Sequence, residues 1–200
     1  MSNQYMATYD YEHTPGYQAI QLIKTLTLLM STEKLAAIAW YRIEDLPSTQ
    51  DVIGDVNNRH LGVVTTEFKS KPAEAAITFS HHLFSERIKY LGDKVAVQKW
   101  KGSESEVYCF ENEHGSVLVI GWLKTHVTDK PREDKEGMLK DARLEKVSLV
   151  IPKALGGKAL QYNELGEEKP FAGAQVKANK TLVNDLPLRG GEIVILKLAK

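Results

Sequence analysis

Residues 38–47 read Ile38-Ala39-Trp40-Tyr41-Arg42-Ile43-Glu44-Asp45-Leu46-Pro47. The stretch is apolar, then aromatic, then acidic, and it stops at a proline. With Leu35, Ala36 and Ala37 it extends to an apolar run, Leu35 to Ile43, almost without alternation. Such runs suit a strand buried on both faces, as in a parallel sheet covered by helices. On this reading two aromatics and two carboxylates stand at the mouth of a buried strand, and the surrounding chain is α/β.

The flanks agree with that reading. Between Tyr17 and Met30 apolar residues fall at 19, 20, 22, 23, 26, 29 and 30, which predicts an amphipathic helix. Ahead of it, residues 1 to 16 are polar and aromatic and end in the breaker Pro15-Gly16. Residues 44 to 60 form a polar loop with Pro47, Gly54 and Asn57-Asn58, followed by the short apolar Leu61-Gly62-Val63-Val64. Lys71-Pro72 puts proline where the first helical turn tolerates it. Apolar positions 73, 76, 77, 79, 83, 84, 88 and 91 then predict a second helix over 73–91.

After Gly92 the texture changes. Strand-like runs cover 95–100, 106–111, 116–122, 144–151, 158–163, 171–177, 180–185 and 191–198. Asn112-Glu113-His114-Gly115 and Arg189-Gly190-Gly191 carry turn chemistry. About eight short strands with such turns predict a β-sandwich. Residues 124 to 146 are a charge-rich insertion that reads as a solvated loop. Two regions follow: 1–92, α/β, and 93–200, all-β.

Composition narrows the function. The 26 basic and 26 acidic residues balance, so the electrostatic footprint of a general nucleic-acid binder is missing. A single cysteine, Cys109, allows neither an intrachain disulfide nor a cysteine-based zinc site, and in Val107-Tyr108-Cys109-Phe110 it reads as core. Residues 19–30 are too short and too polar to span a membrane. His81-His82 with Glu86 lacks the His-Glu-x-x-His pattern, Leu155-Gly156-Gly157-Lys158 lacks the upstream glycine of a phosphate loop, and no Gly-x-Ser-x-Gly elbow occurs. No metal and no cofactor is expected.

The order of the motifs carries a resemblance. Gln18-Ala19 opens a helix, Trp40-Tyr41 closes a strand with Asp45 soon after, and Leu61-Gly62-Val63 follows a loop. Lys71-Pro72-Ala73-Glu74 then starts a second helix ahead of the strands. Pro152, Asn163-Glu164-Leu165-Gly166 and Leu188-Arg189-Gly190-Gly191-Glu192-Ile193-Val194 fit the closing strands. From about residue 17 to 198 the chain resembles the C-terminal part of a (β/α)8-barrel glycoside hydrolase with an appended β-sandwich, of the β-xylosidase and glycanase kind. The resemblance implies a partial barrel: helix 7, strand 8 and helix 8. Active sites of such barrels lie at the C-terminal ends of the strands. Trp40 would floor a sugar subsite, with Tyr41, Glu44 and Asp45 at its rim.

The resemblance also implies an incomplete machine. A barrel takes about 250 residues and a sandwich about 100, so roughly 150 are missing. Glycoside hydrolysis uses two carboxyl groups flanking the scissile bond, which the family places at the ends of strands four and seven. Strand four has no counterpart here. Strand seven would fall within residues 1–12, with Glu12 as the weak candidate nucleophile. Glu44 and Asp45 are adjacent strand residues and point to opposite faces, so they do not form the pair. The expected function is therefore a fragment or split partner of a glycoside hydrolase acting on plant or microbial polysaccharide or glycoside, inactive alone. Its partners would be carbohydrate and a complementing barrel segment or a second copy. The alternative is a non-catalytic carbohydrate-binding or scaffold module, with Trp40, Tyr41, Trp100 and Trp122 as candidate stacking residues, although both Trp100 and Trp122 sit in runs that read as core.

Overall fold

A computed structural model describes residues 15–52, 59–124, 132–133, 139–140 and 142–200. Over these residues the protein is mainly β, with two α-helices and two larger antiparallel sheets. Helix α1 spans Pro15–Ser31 and buries Ala19, Ile20, Leu22 and Ile23, as its periodicity requires. Helix α2 spans Pro72–Phe84 and starts with Pro72 in its first turn after the extended Lys71. Proline fits there because its missing N–H would have no intrahelical partner anyway. The two helices pack against each other.

The strands, in chain order, are β1 (Ile88–Tyr90), β2 (Ala96–Gln98), β3 (Ser105–Asn112), β4 (Val117–Leu123), β5 (Arg132–Glu133) and β6 (Leu139–Lys140). Then come β7 (Leu144–Ile151), β8 (Ala159–Tyr162), β9 (Glu168–Pro170), β10 (Ala174–Lys177), β11 (Lys180–Arg189) and β12 (Ile193–Leu198). One sheet runs β1-β3-β4-β12-β8-β9 and the other β10-β11-β7-β2, while β5 and β6 pair within the charge-rich insertion. Gly115 and Gly191 take positive φ in the turns that join β3 to β4 and β11 to β12, a conformation that costs glycine little.

Two cores lie on opposite faces of the six-stranded sheet. Val117, Val119 and Leu123 of β4 and Val194, Leu196 and Leu198 of β12 meet Val147, Leu149, Val183, Leu186 and Leu188 of the facing sheet. Their sequence neighbours Leu118, Ile120, Trp122, Ile193 and Ile195 turn the other way and pack with Ala19, Leu22, Ile23 and Ala76 of the helices. Both faces of β4 and β12 are thus buried, which is why these strands read as unbroken apolar runs. Gly121 lets the sheets approach, since a Cβ there would stand 3.1 Å from Leu188 Cδ2.

Several expectations need correction. Leu35–Ile43 is not a buried strand: residues 32–39 are exposed, and no regular strand forms there. Its apolar residues have no neighbouring strand to cover them among the described residues. The second helix stops at Phe84, and Ile88–Tyr90 instead pairs with β3 as a sheet edge. Trp100 is not core. It lies beyond edge strand β2 with 59% of its surface exposed. Trp122 is buried as expected.

Candidate functional site

The chain between the helices is held together where the 35–43 run ends. Val63 and Val64 both donate their N–H to the Ile43 carbonyl, at 2.8 and 3.0 Å, and Asp45 N–H donates to the Val64 carbonyl at 3.0 Å. Glu44 and Val64 form a parallel bridge. Leu46 N–H donates to the Arg59 carbonyl at 2.8 Å, closing the loop behind it.

Asp45 is the centre of this junction. Its Oδ1 accepts from Gly62 N–H at 2.9 Å and from Lys71 Nζ at 3.1 Å. Lys71 also lies 3.4 Å from Oδ2 and donates to the His60 carbonyl at 2.9 Å. His60 Nδ1 stands 3.8 Å from Oδ2. Both members of the pair are enclosed, with side chains 9% and 8% exposed for Asp45 and Lys71. Gly62 is required by space: a Cβ would sit 2.2 Å from the backbone of Glu44 and Asp45. Gln18 in the first turn of α1 donates from Nε2 to the carbonyls of Leu61 and Gly62, at 2.9 and 3.0 Å. The junction therefore ties together both helix starts and the end of the run. A carboxylate that accepts from both an ammonium and a backbone N–H makes strong, charge-assisted bonds that fix geometry.

The other expected residues scatter around this junction. Tyr41 is 75% exposed, and its ring lies 5.9 Å from the Arg42 guanidinium carbon. Glu44 is half-buried, and its carbonyl accepts a bond from Arg42 Nε. Trp40 points elsewhere. It lines an apolar cleft of about 420 Å3 with Leu22, Leu26, Met30, Ile77 and Phe84, between the helices and residues 35–38. Its Nε1 is enclosed there with no acceptor among the described residues. Structure thus separates Trp40 from the Asp45 junction. Glu12 lies outside the described residues.

Gln18, Gly62 and Lys71 are the residues that the site reading passed over. They were visible only as members of ordered motifs, because nothing local marks Lys71 as the partner of a carboxylate 26 positions earlier. Among the described residues no group of three or more His, Cys, Asp or Glu side chains could hold a metal ion. No helix among them is long and apolar enough to cross a membrane. No family model matches the chain, and no curated protein matches it.

Proposed function

We propose that this chain is the C-terminal part, or a split partner, of a (β/α)8-barrel glycoside hydrolase, and that it does not turn over glycosides alone. One observation carries the reading. An apolar, non-helical run at residues 35–42, bent at Ala36 and Tyr41 and without a strand partner among the described residues, leads from one helix to a junction that fastens the start of the next helix. The order helix, run, helix supports reading these segments as a barrel's last strand position and its two flanking helices. Tyr41, exposed at the end of the run, would offer an aromatic face to a sugar ring. Asp45 would brace the rim through Lys71 and Gly62 instead of touching substrate. The double sheet would brace the barrel through α1 and α2.

The DNA immediately upstream of the Met1 codon tests this. Strand–helix repeats amounting to about 150 residues, with two strand-end acidic residues, are expected there or in an adjacent frame. An unrelated gene with its own terminator overturns the reading. Purified chain should release no nitrophenol from aryl glycosides, and turnover abolished by Glu44→Gln would contradict this.

A second reading, a non-catalytic carbohydrate-binding or scaffold module, is favoured by the exposure of Trp100. Xylo- and cello-oligosaccharides should then shift tryptophan fluorescence in the native chain and leave Trp100→Ala silent. No shift in the native chain argues against sugar binding by this face.

A further inference from the structure

We infer that the cleft around Trp40 binds a small, uncharged, mostly hydrocarbon molecule carrying one oxygen acceptor, such as an aryl ketone or ester. The inference goes beyond the hydrolase reading and does not rest on it, since that reading offers Tyr41, not this cleft, to a sugar.

Three elements wall the cleft. Leu26 and Met30 come from α1, Ile77 and Phe84 from α2, and Trp40 from the chain between them. These five side chains are half-buried, and their inner sides pack on the core between the helices and the six-stranded sheet. The walls are therefore held in place without a ligand. The enclosed volume of about 420 Å3 suits a small molecule, because such sites measure about 300–1,000 Å3 and are mostly apolar with a few placed polar groups.

The polar groups of the cleft say what the molecule carries. The Ser80 hydroxyl is already used, donating to the Ala76 carbonyl at 2.7 Å. The Trp40 indole N–H is enclosed and has no acceptor among the described residues. A buried donor left unmet is costly, so an occupant that brings an acceptor gains what the empty cleft forgoes. Met30 is unbranched and adaptable, and is the wall member that can yield to let an oxygen reach the indole. Beyond these two groups only the exposed His81 ring is polar among the lining side chains. A sugar would bring many hydroxyls into walls that cannot pair them, at a cost for each.

Charge narrows the class further. Among the described residues no Lys, Arg, Asp or Glu lines the cleft. Met30 and Phe84 belong to the last turns of α1 and α2. Helix C-termini carry partial negative charge, which opposes a carboxylate and leaves a neutral carbonyl unaffected.

Titration of the full chain with acetylnaphthalene, naphthalene and naphthoate, followed through the indole N–H proton signals, tests this. The three probes share one ring system and differ in acceptor and charge. Trp40→Phe assigns the Trp40 signal. Acetylnaphthalene should move that signal downfield, leave the Trp100 signal in place, and bind about tenfold more tightly than either other probe. Trp40→Phe keeps an aromatic wall and removes the donor, so it should bind the ketone no better than naphthalene, by calorimetry. Ile77→Trp should fill the cleft and abolish binding of both. If Ile77→Trp fails to fold, the Trp40→Phe comparison decides alone. No movement of the Trp40 signal up to the solubility limit of the ketone overturns the inference. So does naphthalene or naphthoate binding as tightly, unchanged ketone affinity in Trp40→Phe, or a xylo-oligosaccharide moving the same signal.

Discussion

At the scale of single residues, the Asp45 junction is where substitutions should cost most. Removing one member of an enclosed ion pair strands the other charge, typically at about 3–5 kcal/mol. Asp45→Asn should therefore lower the urea midpoint sharply, because Lys71 loses its enclosed counter-ion. Gly62→Ala should cost at least about 1–3 kcal/mol by overpacking, since its Cβ would meet backbone that cannot swing aside. Unchanged midpoints in both variants would refute the view of this junction as a structural tie. Lys24 makes a different case. Its Nζ stands 5.7 Å from the centre of the Trp122 ring, and burial pulls its pKa down from 10.5 to about 8, with nearby Glu106 opposing and Arg143 reinforcing the fall. The unfolded chain thus binds the proton more tightly than the folded one. Charged Lys24 lowers stability in full below pH 8, and the penalty fades as pH rises from 8 towards 10.5. Lys24→Met should be the more stable chain at pH 7, by up to roughly 3 kcal/mol. The gap should close near pH 10.5, as thermal melts across that range would show.

At the scale of elements, an apolar run is buried only where the fold supplies a cover. An unbroken apolar stretch means burial on both faces, and Leu35–Ile43 has that texture, yet it is exposed. The rule holds instead for β4 and β12, whose two faces are covered by the second sheet and by the helices. Texture alone cannot tell them apart, because burial depends on whether a cover exists elsewhere in the chain. Adjacent positions on β12 should therefore be equally sensitive. Ile195→Ala and Leu196→Ala face opposite cores, and each should cost about 2–5 kcal/mol. Val176→Ala, on a half-exposed edge strand, should stay within about 0.5 kcal/mol. A large loss at only one of the two β12 positions would mean that one cover is dispensable. Short elements escaped for the same reason: β1 and β9 are three-residue edges whose identity comes from their partners. The helices and most of the longer strands were legible because periodicity and turn residues report on them locally. The Lys71–Asp45 pairing was not, because it joins positions that only folding brings together.

At the scale of the whole molecule, the layers bind the helical region to the sheets. The sequence suggests a boundary near residue 92, with an all-β unit after it. Yet Phe110, Ile120, Trp122, Ile193 and Ile195 form the outer face of the six-stranded sheet, and Ala19, Leu22, Ile23 and Ala76 are what cover them. Large apolar side chains contribute about 2 kcal/mol each on burial, so uncovering five of them forfeits about 10 kcal/mol. A domain of this size is stable by only about 5–15 kcal/mol in total. The arithmetic predicts that residues 87–200 expressed alone do not make an independent sandwich. That piece should bind a hydrophobic dye strongly, and aggregate or melt without cooperativity. Adding residues 15–86 back in the same chain should restore a cooperative transition. The comparison of dye binding and melting for the two lengths is decisive, since a soluble, cooperatively melting 87–200 fragment would mean that the inter-sheet core suffices and the helices are an addition to it. The prediction also bears on function: if the helices are part of the core of the sheets, any partner that docks on them will change the stability of the whole chain.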